Sequence, residues 1–136
     1  MLRWVAGSAI LFAAGSVVDN LLTYWFVVAE GRFFEANPFT APFIYSQPLY
    51  MWFVRDVLFY LFAVAIGLVY RYLMHFLSRG YPPDVRAEAL KMASRWWVIP
   101  FVVAVIRILP VIHNTLALLG IETPLPRVYD LFGGWR

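Results

Sequence analysis

Cysteine is absent from this 136-residue chain. That absence excludes disulfides, thiolate-held zinc, iron–sulfur clusters and covalent c-type haem attachment. Charge is scarce as well: Asp, Glu, Lys and Arg make up 14% of the residues, against about 25% in soluble domains. Catalytic fingerprints are missing too. The sequence contains no His-Glu-x-x-His or similar metal-ligand spacing, no Gly-x-Ser-x-Gly turn, and no phosphate or dinucleotide glycine loop. Ser46 has no base beside it in sequence. No internal repeat or low-complexity tract interrupts the chain, so a single domain spanning residues 1–136 is expected.

What remains is apolar. Hydrophobic residues make up 62% of the chain and mean hydropathy is +0.71, where soluble domains are about 45–50% apolar. So short a chain has too little interior to hide that much apolar surface from water. The composition therefore predicts an all-α integral membrane protein. Three apolar windows, about 4–29, 49–73 and 96–119, each approach or exceed the roughly 20 residues that cross a bilayer. The first is too long for a signal-peptide core and is expected to be a retained span.

The net charge of +3 and pI of about 9.4 do not point to nucleic acid, because the cations are not clustered among exposed polar residues. They report orientation instead. Arg71, Arg79, Arg86, Lys91 and Arg95 surround the second connection and Arg3 lies at the N-terminus. Arg32 is alone in the first connection, and Arg127 and Arg136 lie in the tail. The positive-inside rule then puts the N-terminus and second connection in the cytoplasm, and the first connection and C-terminus outside a cell membrane. Aromatic belts give the same frame, with Trp4, Tyr70, Tyr72, Trp96 and Trp97 at one interface and Tyr24, Trp25, Tyr50 and Trp52 at the other.

Small and polar residues recur at helical spacing on each span. Ala6, Ala9, Ala13, Ser16, Asn20 and Thr23 form one row, Asp56, Tyr60, Ala63 and Gly67 a second, and Pro100, Ala104, Arg107 and Asn114 a third. Such rows let helices approach closely in lipid, and the three are expected to pack together. Kinks are expected at Pro100 and Pro110. Asp84 is expected to cap a helix over 85–95. Residues 30–48, with Pro38, Pro42 and Pro48 among five aromatic residues, look too apolar for a solvated loop and too broken for a helix. They are expected to lie in the outer interface, as an anchor or as a cover over a pocket.

The polar residues inside the spans carry the functional expectation. Asp19, Thr23, Phe26 and Glu30 are spaced to share one helix face. Asp19 and Asn20 in the first span, Arg55 and Asp56 in the second, and Arg107, His113 and Asn114 in the third all fall at depths in the outer half. Two aspartates balance two arginines. A lone charge at mid-bilayer costs at least about 2.5–3.5 kcal/mol, so these four are expected to pair and turn inward. The expected site is Asp19, Thr23, Glu35, Asn37, Arg55, Asp56, Arg107 and Asn114. Asp19, Glu35 and His113 are ligand types suited to zinc but lack a supporting spacing. His75 is expected at the opposite membrane face from His113, so the two cannot share one haem iron in a monomer.

The pattern Asp19-x-x-x-Thr23, then Gly31, then Glu35-x-Asn37-Pro38, with a basic residue (Arg55) early in the next span, resembles domain of unknown function 5658. This is a family of small prokaryotic membrane proteins. The resemblance covers residues 15–60. It departs at Arg55, where the family usually has Lys, and in the longer aromatic loop. It implies a small helical bundle with a polar site near the Glu-x-Asn-Pro turn and names no reaction or cofactor.

Three functions are compatible with these residues. One is a module that binds or transports a small polar molecule, ion or lipid headgroup. Another is a structural or assembly subunit whose charges only pair helices. The third is a membrane-embedded, metal-dependent lipid hydrolase using Asp19, Glu35 and His113. Membrane lipid is the expected partner, and so thin a bundle is expected to form a homo-oligomer or join other membrane subunits.

Overall fold

The computed structural model describes residues 2–32 and 40–121. Among the described residues there is helix and no strand. Three helical runs are long and apolar enough to cross a membrane: Leu2–Ala29, Leu49–Gly80 and Pro83–Leu118. Lipid offers the backbone no hydrogen bonds, so each span satisfies its own amides and carbonyls as a helix. The fold is all-α and membrane-embedded.

Helix α1 runs over Leu2–Thr23 and continues into a π-helical turn, Tyr24–Ala29. Gly31 closes that turn at φ +61°, a left-handed conformation natural to glycine. Within residues 30–48, expected to be non-helical, Ala41–Ser46 forms a short helix, α2. Pro42 falls in its first turn, where a missing amide hydrogen costs nothing because that amide has no partner in the helix. Helix α3 covers Leu49–Leu77 and ends in a 3-10 turn, Ser78–Gly80. Helix α4 is Pro83–Ala93. Its N-cap is Pro82 rather than Asp84. Asp84 sits inside the first turn, where a negative charge favours the helix dipole without capping a particular amide.

The apolar part of the third span is two helices, α5 (Val98–Ile106) and α6 (Ile108–Leu118), with interruptions at 94–97 and at Arg107. Both lie N-terminal to the prolines expected to cause kinks. The displacement has a simple cause, since proline withholds its amide from the carbonyl four residues earlier and its ring crowds that carbonyl. For Pro100 and Pro110 those carbonyls belong to Trp96 and Ile106, so each break appears about one turn before its proline.

A glycine faces each break. A Cβ on Gly67 would lie 2.9 Å from both the Trp96 carbonyl oxygen and its ring. A Cβ on Gly15 would lie 2.9 Å from Ile108 Cδ1 and 3.4 Å from the Arg107 carbonyl oxygen.

The distribution of side chains is inverted relative to a water-soluble protein. Leu58, Phe59 and Phe62 are exposed along α3, while Ser8, Ser16, Asp19, Asn20, Thr23, Asp56 and Ser78 are buried. The chain packs as two compact units, residues 1–13 with 57–106 and residues 14–56 with 107–136.

In the first unit Ser8 Oγ and Tyr60 Oη lie 2.7 Å apart and both reach the Val5 carbonyl. Phe12 packs on the Tyr60 ring at 5.0 Å. Trp4 stacks on Trp97 at 5.1 Å, and Phe101 sets its edge against both. Ala63, Gly67, Pro100 and Ala104 are buried here, matching the expected rows on the second and third spans. On α1 the expected row fails in this unit: Ala6 and Ala13 are exposed, and Ser8 with Phe12 faces inward. The Tyr60 hydroxyl needs a polar partner and its ring needs a large neighbour, and alanine supplies neither.

Candidate functional site

The second unit is built around charge. Spacings of three and four residues bring Ser16, Asp19, Asn20 and Thr23 to one side of α1, and all four are buried. Helix α3 contributes Arg55 and Asp56, α6 contributes Asn114, and Arg107 enters from the break before α6. Gly15 admits that break close to α1, which places the Arg107 guanidinium among the carboxylates.

Arg107 joins the two acids. Its Nη1 donates to Asp19 Oδ2 at 2.6 Å, and its Nη2 donates to Asp56 Oδ2 at 2.7 Å and Asn20 Oδ1 at 3.3 Å. Arg55 lays its Nε and Nη2 on Asp56 Oδ1 at 3.1 and 2.9 Å. Asp56 Oδ2 also accepts from Ser16 Oγ and from Asn20 Nδ2 at 3.0 Å. Asn114 Nδ2 donates to Asp19 Oδ1 at 2.8 Å and reaches Thr23 Oγ1 at 3.5 Å. The Arg55 guanidinium lies over the Phe43 ring of α2, 5.0 Å from its centroid.

All four carboxylate oxygens therefore have donors. The guanidinium groups do not fare as well: Arg55 Nη1 and Arg107 Nε are buried and have no acceptor among the described residues. Two aspartates and two arginines leave the cluster neutral in charge but unbalanced in hydrogen bonding, with donors in excess. Guanidinium carries only donors and keeps its charge in proteins.

No family model matches the chain, and no curated protein or solved structure does.

Six of the eight expected site residues meet in this cluster: Asp19, Thr23, Arg55, Asp56, Arg107 and Asn114. Glu35 and Asn37 lie outside the described residues. Ser16 and Asn20 join the cluster from outside the expected eight, Ser16 from the small-residue row and Asn20 from the outer-half polar residues. Their spacing from Asp19 and Thr23 is the signal in the sequence.

Glu30 departs from the expected face. The π-helical turn over 24–29 uses an extra residue per turn, so Glu30 rotates away, becomes exposed and accepts from Trp25 Nε1 at 2.7 Å. Of the zinc-type ligands Asp19, Glu35 and His113, Asp19 is held between Arg107 and Asn114, and Glu35 lies outside the described residues. Among the described residues no three His, Asp or Glu side chains group as metal ligands. His113 is half-buried on α6, and His75 is exposed near the end of α3 with its carbonyl accepting from Ser78 Oγ.

Proposed function

We propose that this chain is a membrane-embedded binding module whose charge cluster takes a polar group rich in hydrogen-bond acceptors. The donor excess at Arg55 Nη1 and Arg107 Nε carries this reading. A buried donor without a partner costs about 1–3 kcal/mol, and more when charged, so an acceptor supplied from outside stabilises the folded chain. A cation would meet carboxylates already occupied, whereas an acceptor would meet free N–H groups. The module sits in the cell membrane with its N-terminus and the 78–95 connection on the cytoplasmic side, and transport is one use of such binding. We place it with the small prokaryotic membrane family named above on the residues quoted there, of which Asp19, Thr23 and Arg55 belong to the cluster.

A second reading rests on a different observation: Arg107 bridges Asp19 on the first span and Asp56 on the second. On that reading the cluster only locks helices, and the chain is a structural or assembly subunit, alone as a homo-oligomer or with other membrane proteins. Native mass spectrometry of protein released gently from its own membrane separates the two. A retained adduct carrying acceptor groups supports the binding module. A clean multiple of the chain mass, or a complex with another polypeptide and no adduct, supports the structural subunit.

A further inference from the structure

The two free donors are not equivalent. Arg107 is 15% exposed and spends both terminal nitrogens on Asp19 and Asp56. Arg55 spends Nε and Nη2 on a single oxygen, Asp56 Oδ1, which leaves Nη1, itself buried, without a partner among the described residues, while the side chain as a whole is 29% exposed. Arg55 also lies only six residues into α3 from Leu49, about 9 Å along the helix axis. That is within reach of the headgroup region for a long side chain that snorkels. Phe43 covers one face of its guanidinium and fixes the plane of the fork. A planar donor fork of this kind matches a tetrahedral oxyanion.

We infer that Arg55, steadied by Phe43 and Asp56, is the anchoring residue of a site for a phosphate-type oxyanion, of which a phospholipid headgroup is the nearest source. This deepens the binding-module reading and rests on it. One phosphate oxygen accepts from Arg55 Nη1. The pairing with Asp56 stays in place, because Asp56 keeps its donors from Ser16, Asn20 and Arg107. Residues deeper in the cluster hold the geometry and do not touch the ligand.

The test uses the full chain in mild detergent, with native mass spectrometry against three probes: a phosphatidylglycerol, a diacylglycerol of the same chains and inorganic phosphate. Wild type is expected to retain phosphatidylglycerol and to release diacylglycerol. Arg55→Lys keeps a cation beside Asp56 but has no second terminal nitrogen, and is expected to lose at least about tenfold in phosphatidylglycerol retention. Phe43→Leu leaves the ions untouched and is expected to lose about two- to fivefold.

Retention of inorganic phosphate that Arg55→Lys abolishes also supports the oxyanion site and assigns it to a free anion. Equal retention of phosphatidylglycerol and diacylglycerol, or no change in Arg55→Lys, overturns the site. If Arg55→Lys binds as wild type while Arg107→Lys does not, the binding module stands and only its anchor is wrong. If none of the probes and no native adduct binds wild type, the binding module itself fails.

Discussion

In the unit formed by residues 1–13 and 57–106, the inward-facing groups include Ser8 in contact with the Tyr60 hydroxyl, Phe12, Trp96 and small residues around Gly67. In the unit formed by residues 14–56 and 107–136, the inward-facing polar groups include two aspartates, two arginines, two asparagines, a serine and a threonine, beside the buried Trp52 and Ile44. Both units draw on the same three spans, and in both a glycine receives a break in the third span. They differ in how much each contact matters. Lipid tails compete with apolar packing almost on equal terms, so the first unit depends on close fit and a weak hydroxyl contact. In the second, each charge lost leaves another stranded in a medium that cannot solvate it.

The largest test of this contrast is Arg107→Gln. It leaves Asp19 and Asp56 without their shared cation and should cost about 3–5 kcal/mol, read as a fall in thermal unfolding temperature in detergent. Asp19→Asn should cost less, because the amide can still accept from Arg107. If Arg107→Gln melts like wild type, the cluster does not hold the unit together.

Serine to alanine sharpens the comparison at a smaller scale. Ser16→Ala removes a donor to a charged carboxylate and should cost about 1.5–3 kcal/mol. Ser8→Ala removes a neutral contact and should cost about 0.6 kcal/mol, the average for hydrogen bonds between membrane helices. Equal losses for the two serines would erase the distinction between the units.

The glycines give the most discriminating pair. At Gly67 a methyl group meets a backbone carbonyl that has nowhere to go, so Gly67→Ala should cost about 1 kcal/mol or more. At Gly15 the nearest obstacle is the end of the Ile108 side chain, which can rotate aside, so Gly15→Ala should cost a few tenths of a kcal/mol, roughly offset by better helix propensity. Chemical denaturation of the two variants side by side reads the difference directly.

Much of this was legible in the sequence because lipid simplifies the rules. Three long apolar windows with few charges have no other stable home, and charges placed at similar depths on different spans must meet or pay for isolation. That reasoning found Asp19, Arg55, Asp56, Arg107 and Asn114. It failed where the determinant was a partner on another helix. Ser8 and Phe12 face inward because Tyr60 is there, and nothing in the first span announces Tyr60. It also failed where backbone geometry departs from the regular helix. The π-helical turn rotates Glu30 away from Asp19, and no residue pattern in Tyr24–Ala29 signals that extra residue. The prolines were visible, but their effect belongs to the carbonyl four residues earlier, which moved both breaks.

The burial of polar residues beneath an apolar exterior has a consequence for how the chain tolerates change. A mutational library selected for folding in the membrane should accept almost any exchange among Leu, Phe, Val and Ile at positions such as Leu58, Phe59 and Phe62, since one hydrocarbon side chain greets lipid much like another. At Ser16, Asn20 and Asp56 even a swap between polar residues should be rejected, because each fits one set of donors and acceptors. The tolerance map of a water-soluble protein, permissive for polar exchange outside and strict about apolar volume inside, would appear here turned outside in.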